Sequence, residues 1–399
     1  MNVKVVTAWV TVVTVLLSVT GPAFADEQPG RRHPTIVIPA PQQKPLVQMA
    51  ILLDTSGSMS GLIDQARTEL WAIVNEFIFA KRGGQAPELQ VALYEYGKSS
   101  LSGETGFIRQ IVPLTTDLDK ISEELFALTT NGGQEYCGWV ISEATKSLKW
   151  SDSPDDLKVI FIAGNEPFTQ GRVDYREACK QAIAKGIIVN TIHCGSEGTG
   201  IDGKWKDGAV LADGKFLNID HNRQVVHIEA PQDREIAELG IRLNDTYIAY
   251  GRRGKAASER QAAQDSNARA VSEASVVQRA VTKSSRNYRN EAWDLVDALK
   301  TDNIKLAEVE KEDLPENMQK MTPQERKAYV ETQAKQRAEI QKKIQKLNEL
   351  RKKYVAEEMK KRHGQSDTLG SAITNAIREQ AKKKNLTFES PKDSSGETK

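Results

Sequence analysis

Gln48-Met49-Ala50-Ile51-Leu52-Leu53-Asp54-Thr55-Ser56-Gly57-Ser58-Met59 joins a short apolar run to a hydroxyl-rich turn. Beyond it, Leu62, Ala66, Leu70, Ile73, Val74, Phe77 and Ile78 recur at helical spacing, so the segment reads as a buried strand, a loop and an amphipathic helix. In open α/β sheets such a loop lies at the carboxyl edge, where ligand crevices form. One carboxylate and two hydroxyls at alternate positions, Asp54, Ser56 and Ser58, are hard oxygen ligands suited to Mg²⁺ or Mn²⁺. The competing reading is a plain strand-to-helix turn, because every one of these residue types is also a favoured helix cap.

Working outward, the alternation continues. Gln90 to Tyr96 and Phe107 to Leu114 read as strands, and Leu118 to Leu128 as a helix. After the turn Asn131-Gly132-Gly133 comes a helix from about Gly138 to Leu148, then an apolar strand from Val159 to Ala163. Tyr175 to Lys185 is a helix closed by Gly186, and Ile187 to His193 is a β-branched strand. Phe216 to Ile219 and Asp233 to Leu243 supply a last strand and a closing helix. Apolar strands alternating with helices imply an α/β fold with a Rossmann-like, doubly wound, mostly parallel sheet. Asp202-Gly203, Asp207-Gly208 and Asp213-Gly214 read as tight turns, since their spacing fits no EF-hand.

Asp54-x-Ser56-x-Ser58 after an apolar strand resembles the first element of the metal-ion-dependent adhesion site (MIDAS) of von Willebrand factor type A domains. The likeness runs over about residues 46 to 245, half of the chain. It implies that Ser56 and Ser58 hold a divalent cation, that Asp54 orients them or a bound water, and that an acidic group of a protein partner completes the shell. The family's other two elements are altered. Its Gly-Gly-Thr is Gly132-Gly133-Gln134 here, and its Thr-Asp-Gly aspartate falls on Gly164 of Ala163-Gly164-Asn165-Glu166-Pro167. Gln134 offers an amide oxygen, and Glu135 or Glu166 a carboxylate, so a partly degenerate site is expected to be rebuilt with weaker affinity. Tyr136, Asn165 and Phe168 are the partner-binding candidates, because loops over the carboxyl edge are where partners touch.

The rest of the chain sets boundaries. Lys+Arg is 55 against Asp+Glu 54, a formal net charge of +1, which provides no global field for nucleic acid or membrane. Lys4, the apolar run Val5 to Val19 and the small-residue site Ala23-Phe24-Ala25 read as a cleaved signal peptide over residues 1–25. Its apolar run is shorter than the roughly 20 residues that span a bilayer. A periplasmic or secreted protein is therefore expected, with a Pro-rich linker over 26–45 and the type A domain over 46–250. Past Gly251 the composition turns to Ala, Gln, Glu, Lys and Arg, and residues 251–388 read as a charged α-helical region, ending in a disordered tail over 389–399. Trp293, Leu295, Val296 and Leu299 are its best apolar face, and Thr322-Pro323-Gln324-Glu325 opens a helix reaching about Arg362. Along it Ile340, Ile344, Leu347 and Tyr354 make a narrow seam, shorter than a sustained coiled coil.

In an oxidising compartment Cys137, Cys179 and Cys194 would give one disulfide and one spare thiol, the pair left open. A thiol-enzyme reading would use Cys137 at a helix start and His193 as base, but nothing in the sequence orients that histidine. No catalytic residue is assigned, and no C-x-x-C spacing supports zinc. The basic stretch from Lys342 to Arg362 is interspersed with Glu339, Glu349, Glu357 and Glu358 and reads as a solvated helix face. Nucleic acid is not expected as a partner; envelope polymers and anionic lipid stay open. The sequence thus points to cation-dependent protein recognition and not to an enzyme. The alternative is a metal-independent envelope scaffold built on the C-terminal helices.

Overall fold

The computed structural model describes residues 44–222, 228–301, 304–361 and 368–388. The signal peptide, most of the linker and the tail read from the sequence lie outside the described residues.

Strand β1 (Leu46–Asp54) is buried on both faces and leads into α1 (Ser60–Asn75). Then come β2 (Ala80–Lys81), β3 (Glu88–Tyr96), β4 (Ile108–Thr115), α2 (Leu118–Ala127) and α3 (Cys137–Ser147). They are followed by β5 (Leu157–Gly164), α4 (Tyr175–Ala184), β6 (Ile187–Cys194), α5 (Glu197–Asp202), α6 (Trp205–Leu211) and β7 (Phe216–Ile219). The six-stranded sheet runs β4-β3-β1-β5-β6-β7, with β3–β4 antiparallel and every other pairing parallel. The expected fold class is what forms. β1 serves both layers by strict alternation: Val47, Met49, Ile51 and Leu53 enter one core, Ala50 and Leu52 the other.

The segment read as tight turns after β6 is mostly helical. Asp207-Gly208 lies inside α6, because that helix carries Trp205 into the core and Gly208 passes so close to Phe168 that a Cβ would sit 2.4 Å from its ring.

Helices α7 (Asp233–Asn244), α8 (Gly254–Val271), α9 (Glu273–Lys283), α10 (Leu295–Lys300), α11 (Glu316–Gln319) and α12 (Pro323–Lys361) follow. α7, read as the closing helix of the sheet, instead packs Ile236, Leu239 and Leu243 against Val277, Ala280 and Val281 of α9 and Ile340 and Ile344 of α12. The α12 seam is thus occupied by α7 and α9. Buried arginines fix this region. Arg279 donates to Asp119 of α2 at 2.7 Å, and Arg337 grips Asp294 at 2.5 and 3.0 Å. The α12 start, at the segment read as opening a helix, is a capping box: Thr322 N donates to the Glu325 carboxylate at 2.8 Å, and Glu325 N to the Thr322 hydroxyl at 3.3 Å.

The sheet's open position is filled from the far end of the chain. α13 (Leu369–Lys383) lays Leu369, Ile373, Ala376, Ile377 and Ala381 into the α1-side core, and β8 (Thr387–Phe388) pairs antiparallel with β2. Glu69 of α1 accepts from Thr368 Oγ1 at 2.7 Å and from Gly370 N, placing a carboxylate on the helix amino end. Asn190, a polar residue in the middle of β6, pairs amide to amide with Gln380 of α13 at 2.6 and 3.1 Å. No described helix is long and apolar enough to cross a membrane. Truncating Ile377, fully buried in this core, to Ala should cost about 2–5 kcal/mol in urea unfolding; a loss below about 1 kcal/mol would mean that α13 is not docked.

Candidate functional site

Four loops meet at the carboxyl edge of the sheet, following β1 and β3, preceding α3 and following β5. Their glycines let the backbones touch. Gly97 has φ +82° and abuts Gly133, where a Cβ would lie 1.7 Å from the Gly97 carbonyl oxygen. Asn131 N donates to Thr55 O at 3.1 Å, and Thr55 N to Tyr96 O at 2.8 Å, which seats the β1 loop between the other two.

Asp54 is fully buried, and its Oδ1 accepts from the Ser56 backbone N–H at 2.7 Å. Its Oδ2 and the Ser56 hydroxyl are buried without a hydrogen-bond partner among the described residues. Ser58 is exposed, and its hydroxyl accepts from Asn165 Nδ2 at 3.2 Å, while Asn165 Oδ1 is another buried oxygen without a partner. Glu135 brings a second carboxyl to Asp54. The two side chains flank one point: a Cβ on Gly97 would lie 2.7 Å from both Asp54 Oδ1 and Glu135 Cγ. Glu135 Oε2 also accepts from Glu166 N at 3.3 Å.

Burial pushes Asp54 up to about 6. Burial pushes Glu135 up further, to about 9, reinforced by the adjacent Asp54 charge. Two buried carboxyls this close hold a proton between them unless a cation replaces it.

Gly164 and Glu135 occupy opposite sides of Asp54. At Gly164 a Cβ would stand 2.5 Å from Tyr96 Oη and 3.1 Å from Asp54 Oδ2, so this position cannot carry a side chain as packed. The carboxyl that accompanies Asp54 comes from the opposite loop, through Glu135. Gln134 is exposed and its amide oxygen accepts from Tyr136 Oη, while Glu166 is exposed on the rim. Of the proposed partner residues, Tyr136 is half-buried, stacked on Trp139 and edge-on to Phe107. Asn165 belongs to the site itself. Phe168 is a correction: it is fully buried against Trp205 and Tyr175 and offers no partner surface.

The cysteines form no disulfide, which corrects that expectation; all three are free and buried. Cys137 and Cys179 lie in one core and Cys194 in the other, across the sheet. Burial holds the Cys137 thiol well above its usual range, opposite to what a nucleophile needs. His193 is buried at the edge of Trp205, with Nδ1 3.1 Å from Asn218 Oδ1. Among the described residues no three His, Cys, Asp or Glu side chains gather as a metal cluster; the oxygens here are two carboxyls, two serine hydroxyls and an amide. Sequence reasoning missed Tyr96, whose hydroxyl donates to Ala163 O at 3.0 Å and backs the site, and Gly97. The signal for both was the strand ending Tyr94-Glu95-Tyr96-Gly97.

Residues 48–201 match the family model of the von Willebrand factor type A domain. Over these residues, from β1 to α5, the chain is similar to a VWA domain. Among solved structures, the SpRpn10 VWA domain is 16% identical, with a TM-score of 0.33, covering 46% of this chain and 100% of that one. The conserved hypothetical protein BatB from Bacteroides thetaiotaomicron is 16% identical, with a TM-score of 0.33, covering 55% of this chain and 99% of its own. Proximal thread matrix protein 1 from the mussel byssus, solved with a zinc-occupied MIDAS motif, is 14% identical with a TM-score of 0.34; the match covers 44% of this chain and 42% of that one. Comparison with curated proteins gives no match.

The carboxyl pair fixes a pH dependence for the cation-free protein. Both groups have folded pKa values above their unfolded ones, so their stabilising contribution is full below about pH 4 and is lost as pH rises through about 6 and then about 9. In chelator, the melting temperature of the wild type should fall relative to Glu135→Gln between pH 5 and 9, and Mg²⁺ at pH 8 should restore it. Parallel pH profiles for the two proteins would contradict the pairing.

Proposed function

We propose that this protein is an exported recognition module that binds a protein partner through a divalent cation at the carboxyl edge of its VWA sheet. The observation that carries the reading is the pair of buried, unpartnered oxygens, Asp54 Oδ2 and Ser56 Oγ. A buried acceptor left unpaired costs about 1–3 kcal/mol, more when charged, and a bound cation removes that cost. With Asp54 Oδ1 committed to Ser56 N, Oδ2 remains for the cation or its water; Ser56 and Ser58 contribute hydroxyls and Glu135 the second carboxylate. Mg²⁺ or Mn²⁺ suits this all-oxygen set. The cation would neutralise the carboxyl pair and offer an open position to an acidic group on the partner. Glu166 and Asn165 stand beside that position, Gln134 is tied to Tyr136, and Tyr136 with Trp139 forms an aromatic ledge next to it. Export rests on the signal-like residues 1–25.

Calorimetric titration of Mg²⁺ and Mn²⁺ into the mature protein tests the reading. Saturable binding is expected, lost in the Asp54→Ala/Ser56→Ala variant and weakened at least about tenfold by Glu135→Gln, the equivalent of roughly 1.4 kcal/mol. No saturable binding to the folded wild type would leave the metal-independent scaffold, with partners docking on another surface.

A further inference from the structure

At the opposite, amino edge of the sheet lies a cavity of about 520 Å³ whose lining includes Lys149, Lys158, Lys185, Lys384, Trp150 and Asp152. Four lysines face one carboxylate. Lys158 is the second residue of β5, six residues before Gly164, so the cavity is about 20 Å from the loops at the carboxyl edge at roughly 3.3 Å per residue.

A bland account exists, in which the lysines cap loose carbonyls. Lys158 Nζ donates to Ser151 O at 2.7 Å, Lys185 Nζ to Thr145 O at 2.9 Å, and Lys384 Nζ to Pro154 O at 2.6 Å. Each ammonium has three N–H donors, so one carbonyl apiece leaves two over. Among the described residues, no carboxylate lies within ion-pair distance of any of the four lysines; Asp156, whose charge also acts on Lys158, is engaged by Arg82, Ser151 and the Leu46 N–H. Lys158 is buried along its stem, with the Asp156 and Asp152 charges near its ammonium but beyond ion-pair distance. Its pKa is lowered, by burial first and by the neighbouring Lys384 charge second.

The wall is rigid before anything binds. Gln48 of β1 donates to Lys149 O at 3.2 Å and accepts from Ser151 N at 2.7 Å, and the Ser151 hydroxyl donates to Asp156 at 2.7 Å. Trp150 is half-buried and spends its indole N–H on Ala144 O at 3.0 Å, leaving its ring as an apolar contact.

We propose that this cavity binds a small phosphate ester, of about the size of a sugar phosphate. Lysines with spare ammonium donors around one cavity match the oxygens of a phosphate, lysine being a point-charge phosphate binder. The volume falls within the range of roughly 300–1,000 Å³ typical of small-molecule sites, more than a bare ion fills. Trp150 would meet the ester's organic part.

The test is calorimetry of the mature protein with glucose 6-phosphate, inorganic phosphate and glucose at fixed ionic strength. Glucose 6-phosphate should bind saturably and more tightly than inorganic phosphate, with no binding of glucose. The Lys185→Ala/Lys384→Ala variant, altered at exposed and half-buried positions, should bind about tenfold or more weakly while melting as the wild type does. Lys158→Met should lose binding too, and Asp54→Ala/Ser56→Ala should leave it unchanged. Absent binding, equal affinity for inorganic phosphate, or full affinity in the double lysine variant would each overturn the proposal.

Discussion

A carboxylate at the end of a strand buried on both faces must be compensated, and the architecture at the carboxyl edge follows from that one constraint. β1 is hydrogen-bonded to β3 and β5 along its length, so Asp54 has no freedom to leave the interior. One oxygen is satisfied by the next turn of its own loop, through the Ser56 N–H. The other faces a region that glycines at 97 and 164 keep clear, with the Glu135 carboxyl beside it. Either a proton or a cation has to balance that pair.

The same rule, that buried charge must be answered, organises the helical region. Arg279 reaches across to Asp119 on α2, packs over Trp71 of α1 and shares Asp119 with the Tyr288 hydroxyl. Arg337 on α12 answers Asp294, whose other contacts cap α10 and hold the Ile248 N–H. Arg351, in what reads as a solvated basic stretch, is buried against Asp233 of α7 at 2.6 Å. Breaking such a pair strands one buried charge, so these contacts fix the register of α12 on the body more firmly than its sparse apolar seam could alone.

The return of the chain through α13 ties the extension to the sheet. Its apolar stripe fills the α1-side core, and the Asn190–Gln380 amide pair sets its position along β6. Both polar residues would otherwise be buried without partners, so the pair specifies one docking and penalises others.

Local pattern was enough for the sheet, its strand boundaries to within one or two residues, and the start of α12, because each is encoded by period or turn chemistry. It also allowed Glu135 as a replacement carboxylate, without choosing it over Glu166. Only the tertiary structure sets Glu135 beside Asp54, against Gly97, and leaves Glu166 exposed on the rim. The partners of α7 and α13 were likewise beyond the sequence: an amphipathic stripe states that a face must be buried, not against what, and α13 lies more than a hundred residues from the sheet it covers. Phe168 and the cysteines show the same limit, for loop position and residue type suggested exposure and pairing, whereas Trp205 and two separate cores bury them. The amino-edge lysines were invisible because four residues from four segments converge only once the strands are in register.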